Sequence, residues 1–167
     1  AYLGSRSWKL ALGSILSFAL IGYFGMWEDT MSTIALISVA PLLCILIGMP
    51  LGIWMAKSDR VQAVITPILD VMQTIPIFVY LLPVLMLLGI GKVPGLISVC
   101  VYAMPPMVRL TNLGIRLVDR DVLEAANAFG ANDKQKLFGV QIPLALPNIF
   151  AGINQTIMMA LAMVVIA

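Results

Sequence analysis

No histidine occurs anywhere in these 167 residues. That absence removes the common zinc sites and every Ser-His or Cys-His nucleophilic arrangement from the chain. Cysteine is nearly absent too. Cys44 and Cys100 both lie inside apolar runs, without C-x-x-C spacing, and read as small buried hydrophobes rather than as a disulfide or a redox pair. Charge is scarce: 11% of the residues are Asp, Glu, Lys or Arg, and 61% are apolar. A soluble domain has about 25% charged and about 45–50% apolar residues, so this composition suits a chain whose solvent is mostly lipid. No phosphate-binding loop is present either. The nearest approach, "LLGIGKVPG", has Met86 where the first glycine of G-x-x-x-x-G-K would stand. No nucleic-acid signature or internal repeat is seen.

What is there is long and oily. Five apolar blocks, at about 10–26, 31–56, 61–90, 93–109 and from 147 onward, are separated by charged or Gly/Pro-marked breaks. Trp8 and Trp27 bracket the first block at roughly one bilayer thickness. Pro67, Pro76 and Pro83 interrupt the third. The pattern predicts an all-α, polytopic transmembrane bundle of about five spans. Orientation follows from the basic residues. If Arg6 and Lys9 face the cytoplasm, then Lys57, Arg60, Arg109, Arg116, Arg120, Lys134 and Lys136 share that side or its interface, and Lys92 alone does not. The first block has no secretory n-region or cleavage site, and the last has no closing flank, which reads as a piece of a longer membrane protein.

Between the fourth and fifth blocks lies a more polar stretch, "EAANAFGANDKQKLFGVQIPLALP", residues 124–147. "DVLEAANAF" predicts a short helix with Asp121 at its N-cap and Glu124 three positions on. Val122, Ala125, Ala126 and Phe129 share one face, and two of them are small enough for a close partner. Gly130 is placed to turn the chain, a second short helix starts at Asn132 or Asp133, and Pro143 and Pro147 lead back to the membrane. On these features alone, a merely helical polar loop and a docking helix remain equally open.

Polar residues at membrane depth form a second set. Gln62, Thr66, Asp70 and Gln73 follow i, i+4, i+8, i+11 and make one stripe, with Pro67 expected to kink the helix. The stripe lines a translocation path or a contact between two copies, or it wets an interfacial face. Asn154, Gln155 and Thr156 are consecutive, so one or two at most face a path and the rest bond neighbouring helices. Arg109, Thr111 and Asn112 read as an interfacial anchor closing the fourth block. Phe78, Tyr80 and Tyr102 are the aromatics of the core spans, read first as packing or interface-belt residues and only second as contacts for a cationic ligand. Asp70, Gln73, Tyr80, Asn154 and Gln155 are the candidate pathway residues. Gly48-x-x-x-Gly52 matches a small-residue packing motif, weakened by the intervening Pro50. The eleven methionines read as pliable packing.

The 124–147 stretch resembles the EAA loop of ABC-importer permeases: Glu124-Ala125-Ala126, three residues, Gly130, nine residues, then Val140-x-Ile142-Pro143 where the family has I-x-L-P. "LDVMQTIPIFVYLLP", "YAMPPMVRLTNLGIR" and "NQTIMMALAMVVIA" are similar to the permeases of glycine betaine/proline betaine importers. The resemblance covers about residues 29–167, leaving 1–28 as an additional N-terminal helix and 113–147 as a cytoplasmic coupling loop. It implies a type I permease in the bacterial cytoplasmic membrane, paired with a second copy, a cytoplasmic ATP-binding subunit and an external substrate-binding protein. ATP and Mg would belong to the partner subunit, with no cofactor in this chain. Glu124, Ala125, Ala126, Phe129, Gly130 and Pro143 are the implied coupling residues. An ion-coupled secondary transporter is the alternative, but it needs several acids at depth, and Asp70 is the only plausible one. A membrane enzyme lacks a catalytic set, and a scaffold leaves the E-A-A spacing without a reason.

Overall fold

The computed structural model describes residues 8–165, without the side chains of residues 8–10, Ile77 and Tyr80. Among the described residues every regular element is helical: α1 (Trp8–Tyr23), α2 (Trp27–Lys57), α3 (Asp59–Thr74), α4 (Ile77–Leu88), α5 (Lys92–Arg116), α6 (Arg120–Ala128), α7 (Asp133–Lys136), a π-helical turn (Leu137–Gln141) and α8 (Ile142–Val164). The expectation of an all-α membrane bundle holds. Among the described residues three helices are long and apolar enough to cross a bilayer: Trp27–Lys57, Lys92–Arg116 and the continuous Asp133–Val164; the apolar helix Ala11–Tyr23 is shorter.

The chain divides into two compact units, Ala1–Ala35 and Leu36–Ala167. In the first, α1 ends at a turn through Gly25, whose φ of 70° suits glycine. Thr30 and Thr33 then donate their hydroxyls to the Met26 and Asp29 carbonyls at 2.8 Å, and Glu28 and Asp29 occupy the positive first turn of α2. Phe18 and Trp27 meet edge to face at 6.5 Å.

The second unit is built around α5, which packs most extensively on α8 and also meets α3 and α4. Lipid tails are as apolar as leucine, so burial from water does not drive these contacts; close packing does. Glycine makes the approach possible. A Cβ on Gly52 would stand 2.7 Å from both the Thr111 Cβ and the Val108 carbonyl oxygen, and one on Gly114 would stand 2.8 Å from the Asn148 Cβ. The Gly48/Gly52 motif is therefore the seam between α2 and α5, despite Pro50. Cys44 and Cys100 meet across the same pair of helices as free thiols, the Cys44 S–H aimed at the Cys100 carbonyl at 3.5 Å.

Three boundaries differ from the sequence expectation. The third block is two helices rather than one interrupted run. Ile75 is extended (φ −74°, ψ 130°) because a following proline disfavours the α region, and Pro76 caps α4. Pro67 and Pro83 lie inside α3 and α4 without ending them. The fourth span continues past Arg109 to Arg116, so Arg109, Thr111 and Asn112 lie within α5 rather than closing it. The fifth does not begin near Pro147. Helix runs on from Asp133, and a π turn, with the Ile142 N–H on the Leu137 carbonyl, takes up the register just before Pro143, which has no N–H to donate.

Candidate functional site

Two groups of residues in the second unit gather polar chemistry: the α6–α7 arm, and a cleft among α2, α3, α5 and α8. The arm is held by local signals. Asp119, not Asp121, is the N-cap of α6, and its carboxylate accepts from the Asp121 N–H at 3.0 Å. Asp121 falls in the first turn, where the helix dipole favours it. The start of α6 is thus two residues earlier than the D-x-x-E pattern suggests, because a second acid was available. At the other end Gly130 has φ 78°, its N–H bonds the Asn127 carbonyl at 2.9 Å, and the Ala131 N–H bonds the Ala126 carbonyl at 3.0 Å. That pair of bonds is a Schellman motif and places Gly130 at C′, as expected. Asn132 and Gln135 then form a reciprocal capping box at 2.8 and 2.9 Å, which starts α7.

No residue of α6 is buried. Phe129 is 91% exposed, Val122 40%, and Glu124 and Ala125 are exposed, with Ala126 half-buried. A phenyl ring left this open on a well-capped helix has no packing role within the chain. The structure holds Glu124, Ala125 and Ala126 on α6 and Phe129 and Gly130 in the turn that closes it, whereas Pro143 lies apart at the start of α8. A crevice of about 370 Å³ runs beside the arm, lined by Lys57, Leu123, Asn127, Asp133, Lys136 and Gln141.

Arg116 carries a role that its place among the topological charges did not reveal. Its Nε donates to the Asn112 side chain at 3.1 Å, and its Nη2 donates to the Met55 carbonyl at 3.0 Å and to Asp59 at 2.7 Å. One guanidinium thus ties the end of α5 to the α2–α3 turn. Five fixed donors make arginine suited to such a junction, but the partners are 57 and 61 positions away in sequence.

The cleft holds about 400 Å³. Gln62, Thr66 and Gln73 line it from α3, Arg109 and Asn112 from α5, and Gln155 from α8. Asp70 of the same stripe forms an ion pair with Arg109. The arginine Nε is buried and has no hydrogen-bond partner. Of the three consecutive polar residues on α8, Gln155 lines the cleft, Asn154 is exposed outside its lining, and Thr156 is fully buried with an unpartnered hydroxyl. Of the aromatics, Phe78 is exposed, Tyr102 packs against a core cluster, and the side chain of Tyr80 lies outside the described residues.

Residues 48–167 match the model of the family described as the binding-protein-dependent transport system inner membrane component. The chain belongs to that family. It is accordingly a membrane component of a transport system rather than a catalytic enzyme. It is 52% identical over 158 residues to the glycine betaine/proline betaine transport system permease protein ProW of Escherichia coli (strain K12), covering 95% of this chain and 45% of that protein. To the glycine betaine transport system permease protein OpuAB of Bacillus subtilis (strain 168) it is 49% identical, covering 95% of this chain and 56% of that one. The chain thus spans about half the length of the curated relatives it matches. Among solved structures, an inward-facing conformation of the MetNI methionine ABC transporter superposes with a TM-score of 0.69 at 20% identity, over 80% of this chain and 68% of that chain. That likeness establishes the fold.

Proposed function

We propose that this chain forms the translocating part of an ABC importer for glycine betaine/proline betaine-type osmolytes, in the bacterial cytoplasmic membrane. The observation that carries the reading is identity of about half the residues, over nearly the whole chain, to permeases bearing those names. A second copy of the permease completes the path, an external binding protein delivers the cargo, and a separate cytoplasmic subunit binds ATP and Mg. This chain needs no cofactor of its own.

In this reading α6 is the coupling helix and lies on the cytoplasmic side. Phe129 and Val122 enter a groove of the ATPase subunit, the small Ala125 and Ala126 allow close approach, and Gly130 fixes the turn behind them. Glu124 presents charge at the same surface. Closure of the ATPase pair displaces the arm. The Arg116 junction and the continuous α7–α8 helix, with Pro143 just past its π turn, transmit that displacement to the spans. Asp70, Gln73, Tyr80, Asn154 and Gln155 are the residues proposed to line or border the path.

The test is ATP hydrolysis by the complete protein, reconstituted in lipid with its ATPase subunit. Betaine-loaded binding protein is expected to stimulate hydrolysis several-fold over unloaded protein. Assembly without stimulation would remove the cargo, and failure of the two subunits to assemble would remove the importer.

A further inference from the structure

We infer that the cleft between α3, α5 and α8 is a cargo subsite for a zwitterion, in which Arg109 takes the carboxylate and Asp70 faces the cationic end. The inference rests on the importer reading above and names two residues that would discriminate among its cargoes.

Three observations carry it. First, the cleft has the size and character of a small-molecule site: about 400 Å³, with apolar walls from Leu110 and Leu113 and a few convergent amides from Gln73, Asn112 and Gln155. Second, Arg109 is under-used. Its Nη2 pairs with Asp70, while its Nε is buried without a partner. A buried N–H with nothing to bond is costly, and a second carboxylate oxygen would satisfy it in the bidentate geometry guanidinium favours. Third, the charges are matched. The pair is partly exposed and so within reach of a ligand, and a simple anion or cation cannot displace Asp70 or Arg109 without leaving the other charge unpaired. A zwitterion can. Its carboxylate replaces that of Asp70 on the guanidinium, while its ammonium stands before the freed Asp70, and the net charge of the cleft stays zero.

The described lining offers Leu110 and Leu113 as apolar contacts for the methyl groups of a quaternary ammonium.

The experiment uses the complete permease–ATPase complex in lipid, carrying Leu113→Cys, one turn from Arg109. Labelling of position 113 by a methanethiosulfonate reagent is read by peptide mass. Three probes of nearly one shape are compared at millimolar concentration: glycine betaine (both charges), choline (cation only) and 3,3-dimethylbutyrate (carboxylate only). Glycine betaine is expected to slow labelling at least 5-fold, dimethylbutyrate less and choline not at all. Arg109→Gln should abolish protection by every probe, and Arg109→Lys should retain part of it. Asp70→Asn should reverse the order, so that dimethylbutyrate protects better than glycine betaine. A purely structural ion pair would not produce that reversal. Equal protection by choline and betaine, no protection at all, or an unchanged order in Asp70→Asn would overturn the inference. The two readings separate cleanly. Stimulated ATP hydrolysis without protection removes the cleft alone, whereas protection without stimulation removes the betaine-import reading and keeps a zwitterion site.

Discussion

Helices α5 and α6 are separated by only a short turn, yet they are stabilised by opposite means. Most of α5 between Ser98 and Ile115 is buried or half-buried, and glycines on α2 and α8 and in α5 itself let backbones approach within side-chain reach. No residue of α6 is buried, and its shape comes from an N-cap, a Schellman turn and the capping box that follows. One helix is specified by its neighbours, the other by its own ends. A helix of nine residues is marginal on caps alone in water, which suits the docking role proposed for it.

The contrast predicts where substitutions do harm. The largest loss of stability is expected at the α2–α5 seam. Gly52→Val places its Cβ 2.7 Å from the Val108 carbonyl oxygen, a backbone atom that cannot swing away. Overpacking of this kind costs about 3 kcal/mol, enough to remove the folded peak in size exclusion or lower the melting temperature in detergent by several degrees. If Gly52→Val melts like the parent, the seam is looser than described.

Arg116→Ala comes next. It deletes bonds to Asn112, Met55 and Asp59 at once, and charged hydrogen bonds contribute about 1.5–3 kcal/mol each where they are shielded. Because Asp59 is largely exposed, that ion pair adds little, and a total of about 2 kcal/mol is expected. Arg116→Lys should recover only a small part, since an ammonium lacks the fork.

Gly130→Val sharpens the comparison from the other side. Nothing lies within 4 Å of a Cβ there, so the cost is backbone strain at φ 78° alone, about 1–2 kcal/mol for a β-branched residue. That strain unwinds the local turn and leaves the α5 core intact. The melting temperature should move little, while ATPase stimulation and subunit association fall at least 5-fold. The smallest effect on stability belongs to Phe129→Ala. Its ring is almost wholly exposed, so a change within about 0.5 kcal/mol is expected, again with weakened binding to the ATPase subunit. A large destabilisation by Phe129→Ala would show that the ring packs within the chain and would end its proposed coupling role.

The same division explains what was readable beforehand. Much of the α6–α7 arm was legible: the turn at Gly130, a second helix starting at Asn132 or Asp133 and the shared face of Val122, Ala125, Ala126 and Phe129 were read from local spacing, and the structure selects Asn132 as the cap. The N-cap slipped because Asp119 is as good a capping residue as Asp121, although only Asp121 has a glutamate three positions on. The polar stripe of α3 was visible as a periodicity, and Gln155 as a polar residue at depth. Their meeting in one cleft was not, since the Asp70–Arg109 pair joins positions 39 apart. Arg109 itself was read as an interfacial anchor, because charge counting assigns a side of the membrane and not a partner.

Composition and the period of the apolar blocks thus determined the solvent and the helical class, because each depends on residues close together in the chain. Proline chemistry determined that the third block is interrupted, and the structure places the break at Pro76 rather than Pro67 or Pro83. Only the tertiary structure decided that glycines on α2 meet α5, that Cys44 faces Cys100, that Arg116 ties three segments together and that a half-satisfied arginine borders a polar cleft. Those contacts are made between helices, and helix packing in lipid is selected by the fit of whole surfaces, which no local pattern encodes.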